Sequence, residues 1–387
     1  MTGQQLKNSI LQWAIQGKLV PQDPTDEPAS ELLECIRTEK AQLIKEGKIK
    51  KGQPTSHIYR DDEGSYCEKV GTKDPVCINH EIPFDLPSGW EWCRGKTLFI
   101  PMQNTTPEGE IIYVDINSVS NKTNSIERPK MISAKDAPSR ARRKLHVNDI
   151  LFSMVRPYLR NVALVKEPYG DAIASTGFYV ITPSVALFPR YVFYMVLSPY
   201  VIDGLNYYMK GENSPSINNG HVEGFLYPLP PLEEQKRIVA RIEELMPLVE
   251  QYDKAHSELT RLNDQLPEQL KKSILQEAIQ GKLVPQDPTA EPASVLLERI
   301  RTEKAQLIKE GKIKKGQPTS HIYRDDEGSY YEKVGSKDPV CINHEIPFDL
   351  PSGWEWCRGK TLFIPMQNTT PEGEIIYVDI NSVSNKT

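Results

Sequence analysis

A long internal repeat constrains this chain more than any other feature of its sequence. Residues 5–123 recur without insertion as residues 269–387, at an offset of 264, and only seven positions differ. The differing pairs are Asn8/Lys272, Trp13/Glu277, Asp26/Ala290, Glu31/Val295, Cys35/Arg299, Cys67/Tyr331 and Thr72/Ser336. A period this long, present fewer than two full times, is not a solenoid. It predicts two equivalent modules with the second cut short, although a tandem duplication without functional meaning is an alternative.

Length and composition exclude several classes of protein. A chain of 387 residues with 38% hydrophobic residues can bury the cores of two or three globular units. The longest apolar stretch, residues 192–202, is interrupted by Ser198 and Pro199 and is shorter than the roughly 20 residues that span a bilayer. The first 19 residues contain no uninterrupted apolar segment of the kind found in signal peptides. We therefore expect a cytoplasmic chain with no membrane partner.

A long helix is predicted after the prolines at 230 and 231, where acidic residues open a charged, apolar-periodic run over residues 233–266. The apolar positions have the 4-3 spacing of a coiled-coil seam, and they are Ile238, Ile242, Leu245, Val249 and Tyr252. Pro247 predicts a kink, and Pro267 a second kink or a restart. We expect the seam to pair with an equivalent helix, from another chain or from a further C-terminal portion. A helix packed on its own domain is the alternative.

The repeated ends carry helical signals in both copies. Thr2 and Gln5 form a capping-box pattern, and Gly17 and Gly281 are expected to end the first helix of each copy. A shorter charged helix is predicted over residues 30–46 and 294–310, and the polar run 47–56 reads as a flexible connector. The tryptophan-rich residues 86–92 suggest the entry to a new globular domain.

That domain mixes strands and helix. Residues 111–116, 149–155, 161–165 and 177–182 are β-branched or aromatic-rich and are bounded by turn residues. Residues 189–208 have a more helical pattern despite Pro199. The sequence therefore predicts an α+β fold.

Basic residues are concentrated in one part of this domain. Residues 122–166 contain eleven basic and three acidic side chains, a net charge of +8 in a chain that sums to −5. Such a local excess suits phosphate contact and bidentate reading of guanine, although a solvated basic loop is the alternative. Neighbouring polar residues add hydrogen-bonding groups of the kind that read bases. The predicted DNA-binding residues are Lys122, Lys135, Arg140, Arg142, Arg143, Lys144, Arg156, Tyr158, Arg160, Lys210, Asn213 and Ser214.

Signatures of catalysis are missing from the sequence. It has no Asn/Asp-Pro-Pro-aromatic loop of amino methyltransferases, no GxxxxGK[ST] phosphate loop, no HExxH spacing and no CxxC pair among its six cysteines. We expect no cofactor, no metal and no catalytic residue. The sequence favours a binding protein over an enzyme, and a structural dimerisation protein with an incidental basic patch is the alternative. A stand-alone nuclease or methylase is a third and weaker interpretation.

Several of these segments resemble the DNA-specificity subunits of Type I restriction-modification systems. The most specific is residues 211–238, which contain Gly-Glu-Asn-Ser-Pro-Ser-Ile-Asn-Asn-Gly-His-Val and Pro-Leu-Pro-Pro-Leu-Glu-Glu-Gln-Lys-Arg-Ile. This run is similar to the junction between a target-recognition domain and its spacer helix. Residues 86–92 resemble the entry of that domain, residues 147–155 one of its strands, and residues 5–21 and 269–285 the distal part of the spacer helix.

The resemblance implies a chain that selects a split site on double-stranded DNA and carries out no chemistry itself. Methyltransferase subunits that bind S-adenosylmethionine, and motor-nuclease subunits, would be its partners, and a homodimer through the long helix is a further expectation. The implied organisation is an end-piece with linker (1–82), a target-recognition domain (83–231), a coiled-coil-type spacer helix with extension and linker (232–345), and the truncated start of a second recognition domain (346–387). We expect that last segment not to complete a domain alone.

Overall fold

The computed structural model describes residues 1–50, 56–314, 316, 318–364, 370, 373, 376, 378 and 383. They form two compact units, Met1–Leu259 and Thr260–Thr387. Within these described ranges, no helix is both long and apolar enough to cross a membrane. The connector predicted over residues 47–56 falls partly outside the described residues, as does most of the segment after residue 364.

Helices form where the sequence pattern predicts them. Their bounds are α1 Gly3–Ile15, α2 Ala29–Lys45, α3 Gly95–Leu98, α4 Pro189–Leu197, α5 Pro199–Asn206, α6 Asn219–Gly224, α7 Leu232–Ile279, α8 Ala293–Lys309 and α9 Gly359–Leu362. The capping box of Thr2 and Gln5 is present at the start of α1. Gly17 and Gly281 adopt φ values of 67° and 68° after the first helix of each copy, which glycine adopts without a steric penalty. These local predictions are confirmed.

The described strands of the first unit make five small sheets. Their bounds are β1 Ser56–Arg60, β2 Tyr66–Val70, β3 Val76–Cys77, β4 Glu91–Arg94, β5 Glu110–Val114, β6 Val119–Ser120, β7 Ser125–Ile126, β8 Lys130–Ser133, β9 Ala141–Lys144, β10 Ile150–Ser153, β11 Val162–Leu164, β12 Ile173–Ser175, β13 Phe178–Ile181 and β14 Leu226–Leu229. The sheet orders are β1-β2-β3, β11-β10-β13, β8-β5-β12-β9, β14-β4 and β6-β7. The mixture of helices with mostly antiparallel strands confirms the predicted α+β class. The hairpin β1–β2 was not predicted.

The sheet β11-β10-β13 separates two parts of the core of the first unit. Alternate residues of β10 face opposite sides, because side chains in a strand have a period of two. Ile150 and Phe152 pack with residues of α1, α2, α4, α5 and α7. Leu151 packs on the other side with residues of β5, β11 and β13. The N-terminal helices therefore share a core with the basic domain.

Helix α7 is longer than predicted and runs without interruption through two prolines. It contains 48 residues and includes Pro247 and Pro267. A proline lacks the amide hydrogen that bonds to the carbonyl four residues earlier, so each one removes a single bond of the helix. The restart predicted at Pro267 is therefore wrong. The helical periodicity of the apolar residues on both sides of Pro267 outweighs the tendency of this proline to end a helix.

Among its described residues, the second unit repeats the hairpin of the first but buries fewer of the repeated apolar side chains. Strands β15 Ser320–Arg324, β16 Tyr330–Val334 and β17 Val340–Cys341 have the order β15-β16-β17. The pairing Ser320↔Val334 matches Ser56↔Val70 of the first copy. Residues 355–358, whose first-copy counterparts form β4, are not a strand. Trp354 is 41% exposed, whereas its counterpart Trp90 is 5% exposed.

Candidate nucleic-acid interface

The turn that follows β10 joins two of the predicted DNA-binding segments. Arg156 adopts φ 48° and Arg160 φ 56°, and between them residues 157–159 form a short 3-10 turn. The Arg156 amide donates to the carbonyl of Pro215 at 2.8 Å, and its guanidinium Nη2 donates to the carbonyl of Asn213 at 2.7 Å. Arg156 is thereby fixed against the polar loop 210–216.

That loop is closed by its own backbone. Lys210 and Ser216 exchange two hydrogen bonds, of 3.1 and 3.0 Å, and Gly211 has φ 105°. Lys210, Asn213 and Ser214 are exposed, as is Tyr158 on the adjoining turn. Cationic and amide side chains therefore stand together on one solvent-facing rim.

Arg140 is connected to the segment before Arg156 through the backbone. The Arg140 carbonyl accepts a hydrogen bond from the Thr176 amide at 2.9 Å, and the neighbouring Gly177 carbonyl accepts one from the Met154 amide at 2.9 Å. Met154 is two residues before Arg156. The two arginines are thus linked through consecutive backbone hydrogen bonds, although 16 positions separate them in the sequence.

Strand β9 places its arginines on opposite faces. Arg142 is half-buried, and its guanidinium donates to the Ser139 carbonyl and to Thr106 Oγ1, both at 3.1 Å. Arg143 is only 8% exposed, and its Nε has no hydrogen-bond partner among the described residues. Burial is the main cause of a pKa of Arg143 below the usual arginine value. Arg143 lines a cavity of about 590 Å³.

The predicted lysines are dispersed. Lys135 follows β8, whose last residue pairs with the first residue of β5, so it lies at the opposite end of that sheet from Arg140. Lys144 forms an ion pair of 3.3 Å with Asp171, in which both side chains are at least half exposed. Lys122 lines a hollow beside α1 and α7. The structure does not bring these three lysines together with Arg156.

Arg160 has a partner outside the basic domain. Its Nη1 donates to Asn8 Oδ1 on α1 at 2.6 Å, and its side chain is half-buried. The Arg160 carbonyl accepts a hydrogen bond from Asn124 Nδ2 at 3.0 Å, and Lys7 Nζ donates to Asn124 Oδ1 at 3.4 Å. This residue therefore joins the N-terminal helix to the domain, a role that the sequence did not reveal.

The predicted seam of α7 divides into two parts. Ile238 and Ile242 are buried in the core of the first unit. Leu245 and Val249 are half-buried, and Tyr252 is 40% exposed while its hydroxyl donates to the Met1 carbonyl at 2.8 Å. The first turns of the seam thus pack on their own domain, which was the alternative interpretation.

Some residues that contact the basic segment were missed from the sequence. Gln103, Asn104 and Thr105 line the cavity of Arg143 together with His146. The only signal for them was the polar run Gln-Asn-Thr-Thr at residues 103–106, which lies before the basic segment and carries no charge. In the described ranges, no group of three or more His, Cys, Asp or Glu side chains could hold a metal ion.

Comparison with known proteins shows sequence similarity to one family. Residues 93–261 match the Type I restriction modification DNA specificity domain. The chain is 33% identical to the Type I restriction enzyme EcoAI specificity subunit of Escherichia coli over 92% of its own length and 62% of that protein. It is 32% identical to the EcoEI specificity subunit of the same species over 91% of its length and 60% of that protein.

A solved structure is also similar. The HsdS subunit from Thermoanaerobacter tengcongensis is 33% identical, with a TM-score of 0.42 and coverage of 54% of this chain and 53% of that one. The chain spans about three fifths of the length of the two curated relatives above. Over residues 93–261 it is similar to the Type I restriction modification DNA specificity domain, and along most of its length it is similar to Type I specificity subunits.

Proposed function

We propose that this chain recognises one part of a split site on double-stranded DNA and directs the methyltransferase and restriction subunits of a Type I system to it. The observation that carries the proposal is the rim where Arg156, from the segment of net charge +8, contacts the loop 210–216; Arg140 of the same segment is connected to Arg156 through backbone hydrogen bonds. The relation to Type I specificity subunits supports the same conclusion.

The chemistry of the rim suits a DNA groove. Arginine presents a planar fork of donors that matches the O6 and N7 acceptors of guanine, while asparagine can pair with adenine. Arg156 and Asn213 are adjacent, and backbone hydrogen bonds to Pro215 and within the loop hold both in place. A side chain that is already ordered loses less entropy on binding.

The other predicted residues have different parts in the proposal. Lys122, Lys135 and Lys144 contact phosphates. An exposed ammonium group is a point charge, which suits a phosphate better than the edge of a base. Arg142, which is half-buried on β9, contacts phosphates or base edges. Tyr158, Lys210 and Ser214 add contacts at the rim. Arg143 and Arg160 have smaller parts, since the first is buried and the second is bonded to Asn8.

The distal part of α7 is the proposed surface for partner subunits. Leu259, Leu262 and Leu266 are 58%, 48% and 57% exposed and are spaced by three and four residues, so they form one apolar row. Isolated apolar residues on a surface are common, but a continuous row along a helix marks an interface. Methyltransferase subunits are its proposed occupant, and a second copy of the chain is the alternative. In this proposal the partner subunits carry out catalysis.

Binding of DNA to single variants tests the proposal. We expect Arg140→Ala, Arg142→Ala and Arg156→Ala each to weaken binding, by about 1–3 kcal/mol where a base contact is lost. A variant that loses a phosphate contact should reduce the salt slope of the binding constant by about one. Lys69→Ala removes an exposed lysine on β2, outside both the basic segment and the loop 210–216, and is the matched control. Unchanged affinity and salt slope in all three arginine variants would contradict the proposal.

A further inference from the structure

The two copies of the repeat contain the same apolar helix in different surroundings. Leu11 and Ile15 of α1 are 0% and 1% exposed in the core of the first unit. Their counterparts Leu275 and Ile279 are 55% and 54% exposed. The sequence that is covered by a domain in the first copy therefore presents the same apolar face to solvent in the second.

The surface that covers the first copy shows what an occupant of the second must supply. Leu11 and Ile15 pack in one cluster with residues of α4, α5 and the first turns of α7, including Val192, Ile202 and Ile242. Because the apolar side chains of the two copies are identical at these positions, the second copy fits a surface of the same build. A globular domain of the type formed by residues 83–231, followed by its own helix, provides such a surface.

Two polar contacts of the first copy are absent from the second. Asn8 Oδ1 accepts a hydrogen bond from Arg160 at 2.6 Å, and Asp26 forms an ion pair with Arg237 at 2.6 Å. The second copy has Lys272 in place of Asn8 and Ala290 in place of Asp26. These are two of only seven differences between the copies, and each one removes the group that contacts an arginine of the first unit.

A lysine at position 8 would be unfavourable in the first domain. It would stand beside the half-buried Arg160 and next to Lys7, whose pKa is lowered by burial and by the nearby Arg160. Asp203 partly offsets the charge of Arg160 but is exposed, and Glu250 lies near Lys7. A third cation in this cluster is repelled by two neighbours and leaves the Arg160 donor without its acceptor.

We propose that two differences between the copies determine which domain each copy covers. They are Asn8 in the first copy where the second has Lys272, and Asp26 where the second has Ala290. The second copy docks on a separate domain of the same apolar build that carries a neutral or acidic residue where the first domain has Arg160. It does not exchange with α1 on the first domain of another molecule. This assignment does not depend on DNA binding.

Transfer of the second-copy residues into the first copy of the full chain tests the assignment. We expect Asn8→Lys with Asp26→Ala to increase amide hydrogen exchange in α1 at least about tenfold, because two contacts to charged groups are lost. Trp13→Glu is the matched control, since it is the other difference within this helix and Trp13 is 54% exposed. It should leave exchange unchanged.

A further substitution, Arg160→Glu, should restore protection of α1 in the Asn8→Lys, Asp26→Ala variant, because the introduced lysine then pairs with an acid. The opposite transfer, Lys272→Asn with Ala290→Asp, should raise the average mass in light scattering, because the second copy can then compete for the first domain of another molecule. Ser336→Thr is the control for that change. Unchanged amide hydrogen exchange in the Asn8→Lys, Asp26→Ala variant would overturn the proposal. A loss of protection or of folding that Arg160→Glu fails to restore would also overturn it.

Discussion

Single residues show how burial decides the role of a side chain in this protein. Lys40 is 7% exposed, and its ammonium donates to the carbonyls of Lys96 and Thr97 at 2.8 and 2.7 Å. Burial lowers its pKa to about 8. The lysine thus closes the C-terminal end of α3 and joins it to α2, in a segment that the sequence predicted only as a shorter charged helix.

The lowered pKa predicts a pH dependence. An unfolded lysine, with a pKa near 10.5, binds more protons than the folded one between pH 8 and 10. The free energy of unfolding should therefore rise with pH across this window, by up to about 3 kcal/mol relative to Lys40→Met. Lys45→Met, on the exposed side of α2, should retain the wild-type dependence. Denaturant unfolding at several pH values measures this difference, and parallel curves for wild type and Lys40→Met would contradict it.

The repeat also supplies a matched pair of tryptophans. Trp90 Nε1 donates to the buried carboxylate of Glu234 at 2.8 Å, whereas Trp354 Nε1 donates to the side chain of Gln286 at 3.0 Å in an exposed setting. Trp90→Phe should destabilise the first unit by about 1–3 kcal/mol because it leaves a buried acceptor with one partner fewer. Trp354→Phe should change stability by less than about 0.5 kcal/mol. Thermal unfolding compares the stability of the two variants. Equal losses of stability would contradict the difference in burial between the two tryptophans.

At the scale of elements, the helices could be predicted from signals within a few residues. The strands were harder to predict, because their formation depends on pairing with distant residues. The capping box of α1 and the glycine after it act within a few residues, so the sequence alone reveals them. Strand β4 forms because it pairs with β14, more than 130 residues later. The identical residues 355–358 form no strand. For the same reason the contact of Arg160 with Asn8 could not be predicted from the basic segment.

Helix α7 allows a prediction about the two parts of its seam. Ile242→Glu should unfold the first unit, because it places a charge in the core. Leu262→Glu should leave thermal unfolding unchanged, since that side chain is 48% exposed, and should weaken association along the helix. Calorimetry reports the first effect, and light scattering or binding of methyltransferase subunits the second. A folded Ile242→Glu variant would show that this part of the seam is not core.

At the scale of the whole molecule, the same sequence is covered in one copy and uncovered in the other. Phe99 is 1% exposed and Phe363 is 71% exposed, although the residues around them are identical. In the first copy, Phe99 shares one cluster with residues of β10 and β13. The sequence did not reveal that α1 and α2 belong to the core of the basic domain.

Limited proteolysis tests the asymmetry directly. Trypsin meets identical sites at Arg94 and Lys96 and at Arg358 and Lys360, so its specificity cannot favour either copy. We expect cleavage after Arg358 or Lys360 first, because cleavage requires local opening and this segment has few buried contacts. Mass spectrometry of early fragments identifies the site. Simultaneous cleavage of both copies would mean that the second is as well covered as the first.

The central claim is that this chain selects a DNA sequence, and selection from random double-stranded DNA is its most direct test. DNA bound by the full chain would be recovered, amplified and sequenced over several rounds, with the Arg140→Ala, Arg142→Ala, Arg156→Ala triple variant in parallel. We predict that the wild-type chain enriches one short motif and that the triple variant loses or relaxes it, because base contacts specify whereas phosphate contacts only position. Recovery of DNA without any enriched motif, or the same motif from both proteins, would contradict the account.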